Sequence, residues 1–390
     1  MTVPFADLVV VDVAALGAAP QIATFFGDLG ARVVKVEHPR GDPLRQLVDA
    51  HGAAIQWKLV NRNKACVTLD VACGDGRQLL ERPLARADVL VSALSAERLT
   101  AWSLDADALR ARHPRLVAVN LTTYGGSGPW ADRPGSGTLA EAVTGLAHLT
   151  GPADAAPTLA PVGLGDYLGV LEGIIAALVG LATRERGGPT TFDVAMTAPL
   201  LGLLGQRLAQ MARSGDDPGR RGNRFPTMAP RNAYRAADGR WVAITAGTND
   251  IVQRLLGAIG RSDLADDPRF RTNRARLENV DALDAAIGAW IGGRTADEAV
   301  DMLVAERVSA AVVHDLAAVL ANPHFAARGD IVTIGDPDVG PITTAAAFLA
   351  PQGTIRDLGR DLGADNDAIY RDWLGVAPEE LARLRGSGVV

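Results

Sequence analysis

Cysteine is nearly absent from this chain of 390 residues, which holds only Cys66 and Cys73. Two thiols cannot build a disulfide framework or a structural zinc set, and the six histidines lie far apart in sequence. A reducing compartment and a chain without a metal are therefore expected. Basic runs are missing too: with a net charge of −6, a pI near 5.6 and scattered Lys and Arg, a nucleic-acid surface is not expected, while a local anion site stays open. Met1 to Asp7 lacks the basic segment and apolar run of a secretory signal. The apolar run Leu168–Ala182 is shorter than the roughly 20 residues of a membrane span, so a soluble cytoplasmic protein is the expectation. No Gly-x-Gly-x-x-Gly follows the first strand, where the turn reads Ala14-Ala15-Leu16-Gly17-Ala18-Ala19, and a nicotinamide cofactor has little support. No repeat or coiled coil is visible.

What the chain does contain is β-α-β alternation. Leu8–Val13 reads as a strand, Gln21–Leu29 as a helix stopped by Gly30, and Ala31–Glu37 as the next strand. The pattern returns with strands at Cys66–Asp70, Ala87–Ser92 and Leu116–Leu121 and helices at Gly74–Leu84 and Ala106–Arg112. An α/β fold with a Rossmann-like parallel sheet follows. Helices are expected at Gly135–Gly151, Asp166–Arg186 and Leu200–Ser214, with a short strand at Thr191–Val194. The polar Gly215–Gly222 stretch is the best linker, so residues 1–214 are expected as the large domain and 215–325 as a smaller α+β domain. That domain opens with a hairpin over Asn232–Thr245 turned at Asp238-Gly239. Residues 326–390 are expected to form a second linker and a helical return to the large domain.

The segment Gly163-Leu164-Gly165-Asp166 delivers a carboxylate to the start of an apolar helix whose charges wait until Arg184, Glu185 and Arg186. At or near the N-cap, Asp166 would accept backbone N–H bonds, and the positive end of the helix dipole would favour its ionised form. An ionised carboxylate in an apolar pocket can attack an acyl carbon. From spacing alone a plain helix cap is the commoner reading.

Several short segments, in order, resemble the class III CoA-transferase family, which also holds formyl-CoA transferase, carnitine CoA-transferase and α-methylacyl-CoA racemase. They are Leu29 to Glu37, Asn61-Arg62-Asn63-Lys64, Gly125 to Pro129 with Asp132 to Gly135, Gly163 to Asp166, Ala229-Pro230, and Asp266 to Phe270. The resemblance runs nearly end to end. It implies a CoA-binding Rossmann-like domain, an interlocked homodimer, and transfer of CoA from an acyl-CoA to a carboxylic acid through a covalent aspartyl intermediate at Asp166. Coenzyme A and acyl-CoA enter as substrates, with no permanently bound cofactor. On the same resemblance, CoA contacts are expected from Gly17, Ala18, His38, Arg40, Arg45, Leu69, Ala93, Leu94 and Arg133. The substrate pocket is expected from Ser136, Gly137 and Glu141, with Gly222 and Asn223 on a mobile loop opposite the aspartate.

Departures from the family pattern are informative. The racemase branch carries Gly-His-Asp where this chain has Gly135-Ser136-Gly137, and a serine hydroxyl is too weak a base to deprotonate an α-carbon. Many transferases carry Tyr-Asp there, so Ser136 and Gly137 are expected to leave extra room near the acyl group. Glu141 could restore a carboxylate to that face, although a solvated helix residue is the plainer reading. The CoA side departs at His38, often Arg in the family, and at Ala93-Leu94-Ser95-Ala96, often Asn-Phe-Arg-Pro; Arg40 and Arg45 are close enough to compensate. Three other readings compete: a racemase-type isomerase, a catalytically impaired CoA-binding protein, and a Rossmann enzyme using another nucleotide.

Overall fold

The computed structural model describes residues 3–217, 219–349 and 354–390. Pro218 of the first expected linker, and residues 350–353 of the 326–390 segment, lie outside the described residues. The chain divides into two compact units, one comprising Met1–Thr144, Ala160–Gly205 and Ala326–Val390, the other Gly145–Leu159 and Gln206–Phe325.

Six parallel strands form the centre of the first unit: β1 (Val9–Asp12), β2 (Arg32–Glu37), β3 (Lys64–Thr68), β4 (Val89–Ser92), β5 (Val117–Thr122) and β6 (Thr191–Ala195). Their order is β3-β2-β1-β4-β5-β6. Runs such as Val33-Val34 and Val89-Leu90-Val91 are wholly buried, as strands covered on both faces require. The chain winds outward from β1 in one direction and then restarts at β4 on the other side. That reversal opens a crevice at the carboxyl ends of β1 and β4, where ligands of such sheets bind.

The Leu164–Thr183 helix crosses this sheet. By length and composition the stretch 164–186 could span a bilayer, contrary to the shorter run read from the sequence. Its packing is that of a core helix: Gly173 and Gly180 let it approach so closely that a Cβ would lie 2.4 Å from Ile22 and 2.6 Å from Val117. The expected helix over Gly135–Gly151 is two, Gly137–Thr144 and Leu146–Leu149, because Gly145 turns left-handed at φ 91° and breaks the ladder. At the C-terminus, Tyr370, Leu374, Leu381 and Leu384 bury against Leu69, Leu79 and Leu80. Asp365 and Asn366 accept the Cys66 and Thr68 N–H groups at 2.7 and 2.9 Å. The tail thereby satisfies donors on the edge strand β3.

The second unit is α+β. Strands β7 (Arg231–Arg235), β8 (Trp241–Thr245) and β9 (Ala310–Val312) pair antiparallel. Helices at Asn249–Ala258, Val280–Gly292 and Ala296–Ala305 bury Leu255, Ile287 and Leu303 with Val242 and Ile244 of the sheet. Thr248 and Thr295 cap two of them, the second through a capping box with Glu298.

Candidate active site

Asp166 is the third residue of the Leu164–Thr183 helix, whose N-cap is Gly163 without a side-chain cap bond. Its carboxylate turns instead to the start of the Gly137–Thr144 helix, where Oδ1 accepts the Gly137 N–H at 3.2 Å. Glycine is required around it for space. A Cβ on Gly137 would lie 2.3 Å from the Asp166 nitrogen and from Oδ2, and one on Gly163 would lie 2.5 Å from Oδ2. The extra room expected at Gly137 is therefore not there, because the backbone and carboxylate of Asp166 fill it. Ser136 beside it is exposed.

Glu141 is not the solvated residue that its helical position suggests. It is 2% exposed, and its two oxygens accept the N–H groups of Gly165 at 3.2 Å and Ala160 at 3.4 Å. Glu141 thus does from a neighbouring helix what Asp166 was expected to do, capping a donor in the first turn of the Leu164–Thr183 helix. The protonation of Asp166 responds to this crowding. Withdrawal from water pushes its carboxyl above the ordinary value, the Gly137 N–H pulls it back, and the Glu141 carboxylate pushes it up again. The net direction is upward, opposite to the helix-dipole expectation. Glu141→Gln removes the neighbouring charge and keeps an oxygen for Gly165, so Asp166 is expected to titrate lower. The acidic limb of the pH profile of kcat/KM then moves to lower pH; an unmoved limb would show that the two carboxylates are not coupled.

At the switch point between β1 and β4 lies a cleft of about 630 Å³, lined in part by His38, Arg40, Leu69, Ala93 and Leu94. Asp42 of its lining belongs to a buried ion network. Lys35 sits 3.4 Å from Asp42 and 3.8 Å from Asp12, while Lys64 sits 2.8 Å from Asp12. Burial pushes Lys64 down to about 8 against the attraction of Asp12. Asp42 accepts the Leu16 N–H and so fixes the turn after β1, where Leu16 adopts φ 58°. His38 accepts the Arg40 N–H at Nδ1, leaving Nε2 as its remaining polar atom.

Other expected CoA contacts fall elsewhere. Arg45 lies outside the cleft lining: it pairs with Glu37 at 2.7 Å, stacks 3.6 Å over Trp57 and donates to the Arg360 carbonyl. Its charge is committed to holding the loop after β2, not available to compensate for His38. Gly17 and Ala18 are not among the lining residues, whereas Ala14, Ala15 and Leu16 of the same turn are. Arg133 is exposed and stacks on Trp130 at 4.6 Å. Gly222 and Asn223 line clefts in the second unit.

Two residues escaped the sequence reading. Arg98 enters the cleft lining from the short Ala96–Ala101 helix, whose cap Ser95 accepts the Arg98 N–H. The Ser-x-x-x pattern was the signal that could have revealed that helix. Buried Asn120 on β5 holds the loop after β4, accepting the Leu94 N–H and donating to the Leu94 carbonyl, each at 2.9 Å. The cleft can thus meet a phosphorylated ligand with Arg40 and Arg98, while Asp166 stands close against Gly137 and Gly163.

Comparison with known proteins agrees with this geometry. The sequence pattern of CoA-transferase family III matches residues 5–366. The chain is 33% identical to a succinyl-CoA–D-citramalate CoA-transferase of Chloroflexus aurantiacus, over 99% of this chain and 98% of that one. It is 32% identical to the β subunit of a succinyl-CoA–L-malate CoA-transferase of the same organism, over 100% and 98%. Among solved structures, a CaiB/BaiF family protein from Brucella suis superposes with a TM-score of 0.80 at 30% identity, over 95% of this chain and 100% of that one. With its family pattern, its parallel sheet and its full-length relatives in agreement, this chain belongs to CoA-transferase family III and is a CoA-transferase.

Proposed function

We propose that the enzyme moves CoA from a dicarboxylic acyl-CoA such as succinyl-CoA to a free hydroxy-dicarboxylic acid, with Asp166 as the covalent carboxylate. What supports the substrate class is that both relatives above, alike over nearly their whole length, are named for a succinyl-CoA donor and for citramalate or malate, two hydroxy acids with two carboxylates. The observation that carries the mechanism is the setting of Asp166: a carboxylate drawn out of water, pinned by one N–H and crowded by a second carboxylate.

In this reading an Asp166 oxygen adds to the thioester carbonyl carbon, the C–S bond breaks, and CoA leaves as thiolate with an acyl-aspartyl anhydride behind it. The thiolate then attacks the aspartyl carbonyl and expels the donor acid, leaving an aspartyl-CoA thioester. The acceptor carboxylate attacks that thioester in turn, and the released thiolate closes on the new acyl carbon, restoring Asp166. The Gly137 N–H, already bonded to Oδ1, is the donor within reach of the oxyanion that develops on the aspartyl carbonyl. Crowding by Glu141 raises the energy of the free carboxylate and so favours its acylated, uncharged form.

The test is intact-protein mass spectrometry after incubation with succinyl-CoA and trapping by hydroxylamine or borohydride. A modification mapping to Asp166 is expected; turnover without any modification at Asp166 sinks the mechanism. The reading includes a cytoplasmic homodimer. Apolar side chains that one copy leaves in water support the dimer: Leu139, Val143, Ile175, Val179, Leu201 and Leu203 are between 43% and 62% exposed. A monomer mass in sedimentation velocity would remove that part.

A further inference from the structure

In the second unit, Arg220 to Phe225 enclose a cleft of about 430 Å³ with Pro152 and Ala153. Four arginines line it, Arg220, Arg221, Arg224 and Arg231, and no Asp or Glu does. Arg224 is compensated from behind by Asp281 at 2.8 Å and Asp284 at 2.7 Å. Arg231 is not paired with any carboxylate among the described residues. It donates to the Asn223 carbonyl and lies over the Phe225 ring at 5.2 Å. The same ring carries Arg207 at 4.7 Å, also without a carboxylate partner among the described residues.

A second, independent observation concerns the donors of this cluster. Arg220 gives Nη1 to the His148 carbonyl at 3.2 Å, but its Nε is buried with no hydrogen-bond partner among the described residues. Nη2 of Arg207 is in the same state, although its Nη1 is bonded to Gln210. A buried N–H without an acceptor is costly and rare, and such groups call for a bound water or ligand. Here the two side chains flank one cleft, Arg220 in its lining and Arg207 over the Phe225 ring that also lines it. The neighbouring carboxylate, Asp217, is exposed and is taken by His148 at 2.8 Å and by the Gly219 N–H at 2.9 Å.

We propose that this cleft is a binding site for a small oxyanion, the carboxylate of a free organic acid or a phosphate group, held by Arg220 and Arg231 with Arg207 behind them. A guanidinium presents two parallel N–H groups at the spacing of a carboxylate or phosphate edge, and the orphaned Arg220 Nε offers one of them. Phe225 presents its ring to both Arg207 and Arg231, and an anion that enters relieves the repulsion between these like charges. The volume lies in the range of small-molecule sites and is ample for a short dicarboxylate. The proposal does not rest on the reading of Asp166, because binding is measured without turnover.

The experiment is isothermal calorimetry on the full chain, with succinate in one arm and inorganic phosphate in the other, against chloride of matched ionic strength. Saturable binding is expected, weakened tenfold or more in both Arg220→Gln and Arg231→Gln and unchanged in Arg213→Gln, which lies outside the cleft. Tighter succinate assigns the site to an organic acid, and tighter phosphate assigns it to a phosphate group; either supports the proposal. Absence of binding in both arms overturns it, as does unchanged affinity in both cleft variants. Arg231 is exposed, so its variant serves if replacement of Arg220 disturbs the fold.

Discussion

Asp166→Asn is expected to lose at least about a thousandfold in CoA transfer, and losses of about a millionfold accompany removal of some covalent nucleophiles. The amide keeps the shape of the carboxylate and can still accept the Gly137 N–H, but it offers no oxygen nucleophile to the thioester. The same substitution makes a second, opposite prediction for stability. Burial and Glu141 raise the folded-state pKa of Asp166, so the folded chain holds its proton more tightly than the unfolded chain does. Stability then falls as pH rises from the ordinary carboxylate range through the folded value, and stays lower above it. The neutral amide escapes this loss. At neutral pH the variant should therefore melt at or above the wild type, and the two should converge at low pH. Thermal melts across pH, run beside steady-state kinetics, decide both points. Near-normal turnover would dismiss Asp166 as nucleophile, and a lower melting temperature at neutral pH would show that the anion is held by more than the bonds described here.

Gly137→Ala carries the next largest effect. One methyl group 2.3 Å from both the Asp166 nitrogen and Oδ2 has no place to go, because the first of these is helix backbone. Either the Gly137–Thr144 helix or the start of the Leu164–Thr183 helix must shift. Overpacking of this kind costs about 1–3 kcal/mol, and a displacement near 1 Å at the reacting carboxylate costs about a hundredfold in rate. The loss should fall on kcat and leave the KM for acyl-CoA nearly unchanged, since the β1–β4 cleft is built from other segments. Gly163→Ala is the matched control. The three atoms nearest its Cβ all belong to the Asp166 side chain, the first being Oδ2 at 2.5 Å, and a side chain can rotate where backbone cannot, so its cost in stability should be clearly smaller. Equal losses of stability in the two variants would refute the steric account.

The strands were legible because a parallel sheet buried on both faces leaves β-branched runs such as Val33-Val34 and Val89-Leu90-Val91 in the sequence itself. The apolar helix after Asp166 was legible for a similar reason, its charges being deferred to Arg184 and beyond. Local pattern failed where a partner came from far along the chain. Glu141 reads as an exposed helix residue because the N–H groups it caps belong to Ala160 and Gly165. Arg45 reads as a free cation because Glu37 and Trp57 approach it only once the loop after β2 is folded.

By itself, then, the sequence determined the α/β class, the strand and helix order around the crevice, and Asp166 as the candidate nucleophile, since periodicity, turn residues and short motifs are properties of neighbours in the chain. The tertiary structure alone decided the direction in which Asp166 titrates, the absence of space beside it, the commitment of Arg45 and the entry of Arg98 into the cleft. Each of those depends on which groups lose water and which charges come within a few ångströms, and segments distant in sequence settle that only by packing together.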